Sequence, residues 1–241
     1  MPSVALEIMD AIADNLQAVK QRIARAAAAS NRSASAIQLL AVSKTFGAAE
    51  IRQAWQCGQR SFGENFVQEA VAKIPALGDL AIEWHFIGPL QSNKTRPVAE
   101  HFAWVHSLER EKIARRLDEA RPPHLPPLNV LIQINVSAEA SKSGLMPGGE
   151  QALAATIATL PRLRLRGLMA IPEPTSDHAL QRARFARLRM LFEALRRDHP
   201  AIDTLSMGMS ADLEAAIAEG STLVRVGSAI FGTRPRPSGA D

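Results

Sequence analysis

The chain contains no tyrosine, and Cys57 is its only cysteine. Without a phenol, one of the usual groups for proton transfer in catalysis is missing. With one thiol, neither an internal disulfide nor a cysteine-based zinc cluster can form, and a reducing cytoplasm is the simplest setting. Aromatic residues make up only 5% of the sequence, and the basic residues are spread through helical stretches with few rings between them, which argues against a nucleic-acid partner. No apolar run approaches the roughly 20 residues of a membrane span. No basic patch followed by an apolar core marks a signal peptide, since Asp10 and Asp14 interrupt the N-terminal apolar pattern. Walker loops, GxGxxG, HExxH and Gly-x-Ser-x-Gly elbows are all missing. His101 and His106 fall across a helix-to-strand transition, where they imply no two-histidine metal face.

What is present describes an ordinary globular chain, with 241 residues, 46% hydrophobic and 22% charged. A net charge of +4 suits a small anionic ligand such as a phosphate ester. Leu6, Met9, Ile12, Ala13, Leu16, Val19 and Ile23 recur at spacings of three and four, which predicts an amphipathic helix over about 4–28. Short apolar runs follow at 37–44, 61–64, 83–88, 104–108, 129–136, 163–171, 204–208 and 223–227, each reading as a buried strand. Helix-period stretches separate them at 48–56, 65–73, 94–101, 110–120, 148–159, 178–197 and 211–219. Eight strands alternating with helices predict an α/β fold with a parallel sheet, closed as a (β/α)8 TIM barrel over about 37–234, with the first helix outside the count. An open doubly wound sheet is the alternative. Pro122, Pro123, Pro126 and Pro127 form the one linker-like segment, short enough to be a loop, so a single domain spanning 1–241 is expected, with a frayed tail at 235–241.

In a parallel barrel the chemistry sits at the C-terminal strand ends. Those ends are polar and glycine-rich here: Ser43 and Lys44, then Gly63 to Asn65, Gly88, Asn135, Gly208 and Ser210, and finally Gly227 and Ser228. Lys44 closes an apolar strand, so its amine either snorkels to solvent or projects into the mouth, partly desolvated and able to condense with an aldehyde. Ser210 reads as the N-cap of a helix with Asp212 and Glu214 in its first turn. This turn and the one at Gly227 and Ser228 follow the seventh and eighth strands, where phosphates commonly sit in such barrels. Arg225 points away from Val224 and Val226; if that face is the interior, it needs an acceptor such as an unprotonated ring nitrogen. His85 lies within a strand, where a hydrogen-bonded core role is the plain reading. Glu64 and Glu69 read as solvated helix starts or as acids.

Seven segments, in order, resemble the pyridoxal phosphate homeostasis proteins, also described as alanine racemase N-terminal-domain-like. They are AVSKTF (41–46), FGENFVQE (62–69), WHFIGPLQSNK (84–94), INVSAEASKSGL (134–145), LRGLMAI (165–171), LSMGMSADLEAAI (205–217) and VRVGSAIFGTR (224–234). The resemblance implies a fold-type III barrel holding pyridoxal 5′-phosphate as a Schiff base on Lys44. It also implies a phosphate pocket at Ser206, Ser210, Gly227 and Ser228, Arg225 facing the pyridine nitrogen, and Asn65 and His85 close to the cofactor. Phe66 stands where many relatives have tyrosine and Gly47 where many have proline.

Related racemases add a β-rich domain and use its tyrosine as a second base. The sequence after the eighth strand is too short for that domain, and there is no tyrosine, so a non-enzymatic role in vitamin B6 homeostasis is expected: binding, buffering or transferring the cofactor, with apo-enzymes as recipients. A weak amino-acid racemase is the alternative, and a barrel condensing with a sugar phosphate is a third reading. A monomer without membrane or nucleic-acid partners is expected.

Overall fold

Apolar residues at helical and strand spacings decide most of the elements. In the computed structural model, which describes residues 4–137 and 143–232, the chain opens with helix α1 (Val4–Ala29). Its Ile12, Leu16, Val19 and Ile23 are buried along one stripe, as their spacing requires. The remaining order is β1 (Gln38–Val42), α2 (Ala48–Gln56), β2 (Ser61–Glu64), α3 (Val67–Lys73), β3 (Glu83–Phe86), α4 (Thr95–His101), β4 (Trp104–Leu108), α5 (Glu111–Ala120), β5 (Leu128–Gln133), α6 (Glu150–Ala158), β6 (Leu163–Met169), α7 (His178–Asp198), β7 (Thr204–Ser206), α8 (Leu213–Ala218), β8 (Leu223–Val226) and α9 (Ser228–Phe231). Three single-turn 310 helices, Ala34–Ala36, Pro75–Leu77 and Ser92–Lys94, are too short to leave a hydrophobic period in the sequence. The tail at 235–241 and the stretch at 138–142 lie outside the described residues.

All strand pairs are parallel, and the sheet closes on itself in the order β1 to β8. Closure is made by β1 against β8, with Gln38 opposite Leu223 and Ala41 opposite Val226. The open doubly wound alternative is thereby excluded, and the protein is a (β/α)8 TIM barrel with an added N-terminal helix.

Alternation along each strand divides the apolar residues into two environments. Ala41, Phe62, Phe86, Val105, Val130, Leu168, Val224 and Val226 belong to the large core shared with the helices. Their neighbours of opposite parity form two smaller clusters inside the barrel, Leu40, Val42, Ile87 and Leu223 on one side and Trp104, Leu131 and Met169 on the other. The barrel interior also holds buried His85, His106, Ser206 and Arg225.

Most strands are shorter at their C-terminal ends than the apolar runs predict. Ser43, Met207 and Gly208 lie beyond β1 and β7 yet keep single bonds to the neighbouring strands, the Ser43 N–H to Gly63 O at 3.0 Å, the Met207 N–H to Leu223 O at 3.1 Å and the Arg225 N–H to Gly208 O at 2.9 Å, before the chain turns to build the barrel mouth. Helix α8 likewise starts later than expected. Asp212, not Ser210, occupies its N-cap position, and the Asp212 carboxylate closes the preceding turn by accepting the Met209 N–H at 2.6 Å. Ser210 is thereby left free of the capping role assigned to it from sequence.

Candidate functional site

A cavity of about 300 Å³ opens at the C-terminal mouth of the barrel. Lys44, Asn65, Ser210, Arg225, Gly227 and Ser228 line it, together with apolar Val42, Ile87 and Ile171. Every sequence-predicted site residue except His85 and Ser206 is therefore brought to one place. A second chamber of about 280 Å³ adjoins it, sharing Asn65, Ile87, Ile171 and Met209.

The turn that carries Lys44 is held from below by a buried lysine. Lys73 Nζ donates to the carbonyls of Ser43 (3.1 Å) and Phe46 (2.9 Å), and to Glu64 Oε1 (2.9 Å) and Glu69 Oε1 (2.7 Å). The Ser43 hydroxyl donates to the same oxygen of Glu64, and the Thr45 N–H donates to Glu69 Oε1 at 2.6 Å. Thr45 needs this support, since its φ of 69° lies in the left-handed region that costs a β-branched residue of order 1–3 kcal/mol. Glu64 is fully buried, which corrects its reading as a solvated helix start. Burial pushes its carboxyl above the ordinary range, against the opposing pull of Lys73 and Ser43. The Glu69–Lys73 spacing of one helical turn was the available sequence signal; nothing in the pattern revealed that Lys73 turns inward.

Asn65 is positioned by a close backbone approach. A Cβ on Gly88 would lie 2.0 Å from the Asn65 carbonyl oxygen, so only glycine lets the end of β3 pass there. The Gly88 carbonyl is in turn held by the Ser107 hydroxyl. Asn65 Oδ1 is buried and has no hydrogen-bond partner, an arrangement that favours a ligand donor beside it.

Arg225 is 3% exposed and points into the barrel, as one of the two faces open to it in sequence required. Its NH1 donates to Ser206 O (2.7 Å) and Ser206 Oγ (2.6 Å), and its NH2 donates to Ala170 O (2.8 Å). All three partners are neutral oxygens. Burial lowers the guanidinium to about 10, and Asp212 pulls in the opposite direction.

His85 and Ser206 do not line the cavity, contrary to expectation. Ser206 Oγ meets His106 Nδ1 at 2.9 Å, His106 Nε2 meets His85 Nδ1 at 2.9 Å, and His85 Nε2 meets Glu83 Oε1 at 2.8 Å. Ser206 is thus spent on Arg225 and His106 rather than on the mouth. Sequence reasoning considered His106 only as a metal ligand and missed this contact, which spans 100 positions of chain.

The two turns expected to bind phosphate, at Ser210 and at Gly227–Ser228, both face the cavity. In α9 the Ile230 and Phe231 amides bond to Gly227 O (2.8 and 3.0 Å), and those of Ser228 and Ala229, at its start, have no intrahelical acceptor. Helix α1 braces both turns from outside: Arg22 donates to Ser210 O (3.1 Å) and pairs with Glu214 (2.8 Å), and Asn15 donates to Ile230 O (3.0 Å). The cavity thus combines a primary amine, a buried cation, small hydroxyls and turn amides, the groups that suit a phosphorylated carbonyl compound with a ring acceptor. Among the described residues no helix is long and apolar enough to cross a membrane.

Comparison with known proteins follows the same lines. Residues 9–235 match the family described as alanine racemase, N-terminal domain. The pyridoxal phosphate homeostasis protein of Pseudomonas aeruginosa is 59% identical over 226 residues, covering 94% of this chain and 97% of the relative. The protein of the same description from Escherichia coli K12 is 56% identical over 229 residues, covering 94% and 98%. Among solved structures, PipY of Synechococcus elongatus PCC7942 with PLP bound superposes with a TM-score of 0.79 at 37% identity, covering 92% of this chain and all of that one.

Proposed function

The chain belongs to the alanine racemase N-terminal domain family, and from that premise we propose that it binds pyridoxal 5′-phosphate in the mouth cavity and serves intracellular homeostasis of the cofactor. The observation that carries the reading is that Lys44, Arg225 and the Ser210 and Gly227–Ser228 turns line one cavity, though they come from strands β1, β7 and β8. Relatives more than half identical along nearly their whole length are named for that role, and the solved PipY holds PLP.

The residues present fit the cofactor. Orphaned Asn65 Oδ1 offers an acceptor beside the cavity, Arg225 brings a cation that among the described residues bonds only to neutral oxygens, and Ser210 and Ser228 bring hydroxyls. When bound, the cofactor supplies an aldehyde that condenses reversibly with a primary amine, releasing water. Lys44 is the amine we assign to it. Ser210, Gly227 and Ser228 would hold the phosphate, and Arg225 would meet the pyridine nitrogen.

A guanidinium in that place donates a hydrogen bond but keeps the ring nitrogen unprotonated, which weakens the ring as an electron sink. With no tyrosine in the chain, a phenolic second base is also missing. Both features favour a cytoplasmic carrier that buffers the cofactor or passes it to apo-enzymes over an enzyme with robust turnover. Weak racemisation is the competing reading, since the family is that of a racemase domain.

The test is the visible absorbance of the purified protein before and after borohydride, with peptide mass mapping, for wild type and Lys44→Ala. A reducible chromophore trapped on the Lys44 peptide and lost in the variant is expected. No chromophore, or one trapped on another lysine, overturns the assignment and returns the sugar-phosphate reading. Transfer to an apo-enzyme without amino-acid turnover then separates carrier from racemase.

A further inference from the structure

The interior of such a barrel is ordinarily packed with apolar layers. Here a file of polar side chains crosses it, all buried except the last. From the cofactor cavity inward it runs Arg225, Ser206, His106, His85 and Glu83, with successive contacts of 2.6, 2.9, 2.9 and 2.8 Å. Glu83 is the first residue of β3, so the file ends at the N-terminal mouth, opposite the cavity. There its Oε1 also accepts from Gln38 Nε2 and Ser61 Oγ, which begin β1 and β2.

Hydrogen-bond chemistry fixes the sense of every link. The Glu83 carboxylate can only accept, so His85 carries a hydrogen on Nε2 and donates it there. In the neutral ring His85 Nδ1 is then an acceptor, so His106 donates to it from Nε2. Neutral His106 in turn accepts at Nδ1 from the Ser206 hydroxyl, whose oxygen accepts from the Arg225 guanidinium. Both imidazoles are neutral, every donor points toward Glu83, and each link polarises the next. Burial lowers both histidines from their usual value, and the His85 N–H holds Glu83 down at about 2, in keeping with neutral rings and an ionised carboxylate. His85 also stacks on Trp104 at 5.2 Å, which fixes its ring plane.

We propose that Glu83, His85, His106 and Ser206 form a positioning relay that orients Arg225 for the cofactor and couples its charge to a carboxylate at the opposite mouth of the barrel. The inference rests on the cofactor reading above. In this arrangement Ser206 and the Ala170 carbonyl hold NH1 and NH2, leaving the outer face of the guanidinium for the ligand. The relay makes Ser206 Oγ a stronger acceptor than an isolated hydroxyl, which compensates a buried cation that touches no carboxylate. His85 and Ser206 thereby act on the cofactor through Arg225.

The experiment uses full-length holo protein with Ser206→Ala and Glu83→Gln. Borohydride trapping on Lys44 first verifies that the cofactor is bound, and titration with pyridoxal phosphate and the visible absorption maximum then report on Arg225. Losing a hydrogen bond to a charged donor should weaken cofactor binding about tenfold in Ser206→Ala and shift the absorption maximum. Glu83→Gln keeps an acceptor for His85 but removes the charge, so it should move both readouts in the same direction by a smaller factor. A merely structural file would lower thermal stability in the variants and leave the spectrum of the bound cofactor as in wild type. Wild-type Kd and spectrum in both variants, with Lys44 trapped, would overturn the relay. Failure of trapping in wild type would instead overturn the cofactor reading. Should Ser206→Ala not fold, the half-exposed Glu83→Gln decides alone.

Discussion

Replacing Lys73 with methionine tests how the turn bearing Lys44 is held. Methionine keeps most of the volume and removes the ammonium, along with its bonds to the Ser43 and Phe46 carbonyls and to Glu64 and Glu69. Lys73 is 8% exposed and Glu64 is fully buried, so solvent offers little rescue to the carboxylate left behind. Breaking one side of a buried pair costs about 3–5 kcal/mol, and that is the loss of unfolding free energy expected at pH 7 in urea titration at 25 °C. The loss should depend on pH in a definite direction. Glu64 already sits above the ordinary carboxylate range, and without Lys73 it rises further. An acid with a raised folded-state pKa binds more protons folded than unfolded, so stability falls as pH rises through that window and recovers as pH drops. The deficit of Lys73→Met should therefore be smaller at pH 5.5 than at pH 8. Adding Glu64→Gln should restore part of the stability and abolish the pH dependence of the deficit. A loss below about 1 kcal/mol, or the same deficit at both pH values, would refute the reasoning that Lys73 compensates a buried charge.

The buried histidines set a second pH response. Their folded-state pKa values are lowered, so below about 6.5 the unfolded chain binds more protons and stability falls with pH, by up to about 1.4 kcal/mol per pH unit for each ring. Glu64 and Asp212, both raised, work against this, so the comparison is between variants: His106→Gln should flatten the pH 6.5 to 5 slope by about one such increment, and an unchanged slope would show that the ring does not stay neutral. Glu83, depressed to about 2, contributes stability that is present above its unfolded value near 4.3 and lost only below it, outside this range. Gly88→Ala places a Cβ 2.0 Å from a backbone oxygen that cannot move aside alone. It should cost about 3 kcal/mol or more and weaken cofactor binding by displacing Asn65, as thermal melts and pyridoxal phosphate titration would record; wild-type affinity would refute the link.

Regular local patterns made most of the fold readable. Trp104–Leu108, Ser61–Glu64 and Ala48–Gln56 have the predicted bounds, because an apolar run between turn residues and a helical period each leave a local trace. The cavity was readable for a related reason: Lys44, Asn65, Ser210, Gly227 and Ser228 sit at strand ends or in the turns that follow, where closure of the barrel gathers them whatever their distance in sequence. Side-chain direction was less accessible. Strand parity set Arg225 opposite Val224 and Val226 but left open which face is the interior, and it could not tell that Ser206 would turn to His106 instead of to the mouth, since that contact joins strands across the interior. Burial of Glu64 was invisible because its partner, Lys73, lies on a helix face whose inward tilt is set by packing. The cap of α8 was misplaced because Ser210 and Asp212 are both good cap residues, and only the turn at Met209 chooses between them.

The bracing of the mouth by α1 has a consequence for the order in which the protein is made. Asn15 holds the carbonyl of Ile230, a partner 215 positions later in the chain. At synthesis rates of roughly 5–20 residues per second, α1 waits about 10–40 s on the ribosome before the segment it braces exists. During that interval its stripe of Ile12, Leu16, Val19 and Ile23 can meet α2 but lacks the α8 and α9 surfaces that complete its cover, and β1 has no β8 to close against. Lys44 emerges early but its cavity is finished late, so the nascent chain carries this amine long before it carries the Ser210 and Gly227–Ser228 turns that share its cavity. A chain stalled before β8 therefore presents Lys44 without the walls that enclose it in the folded protein.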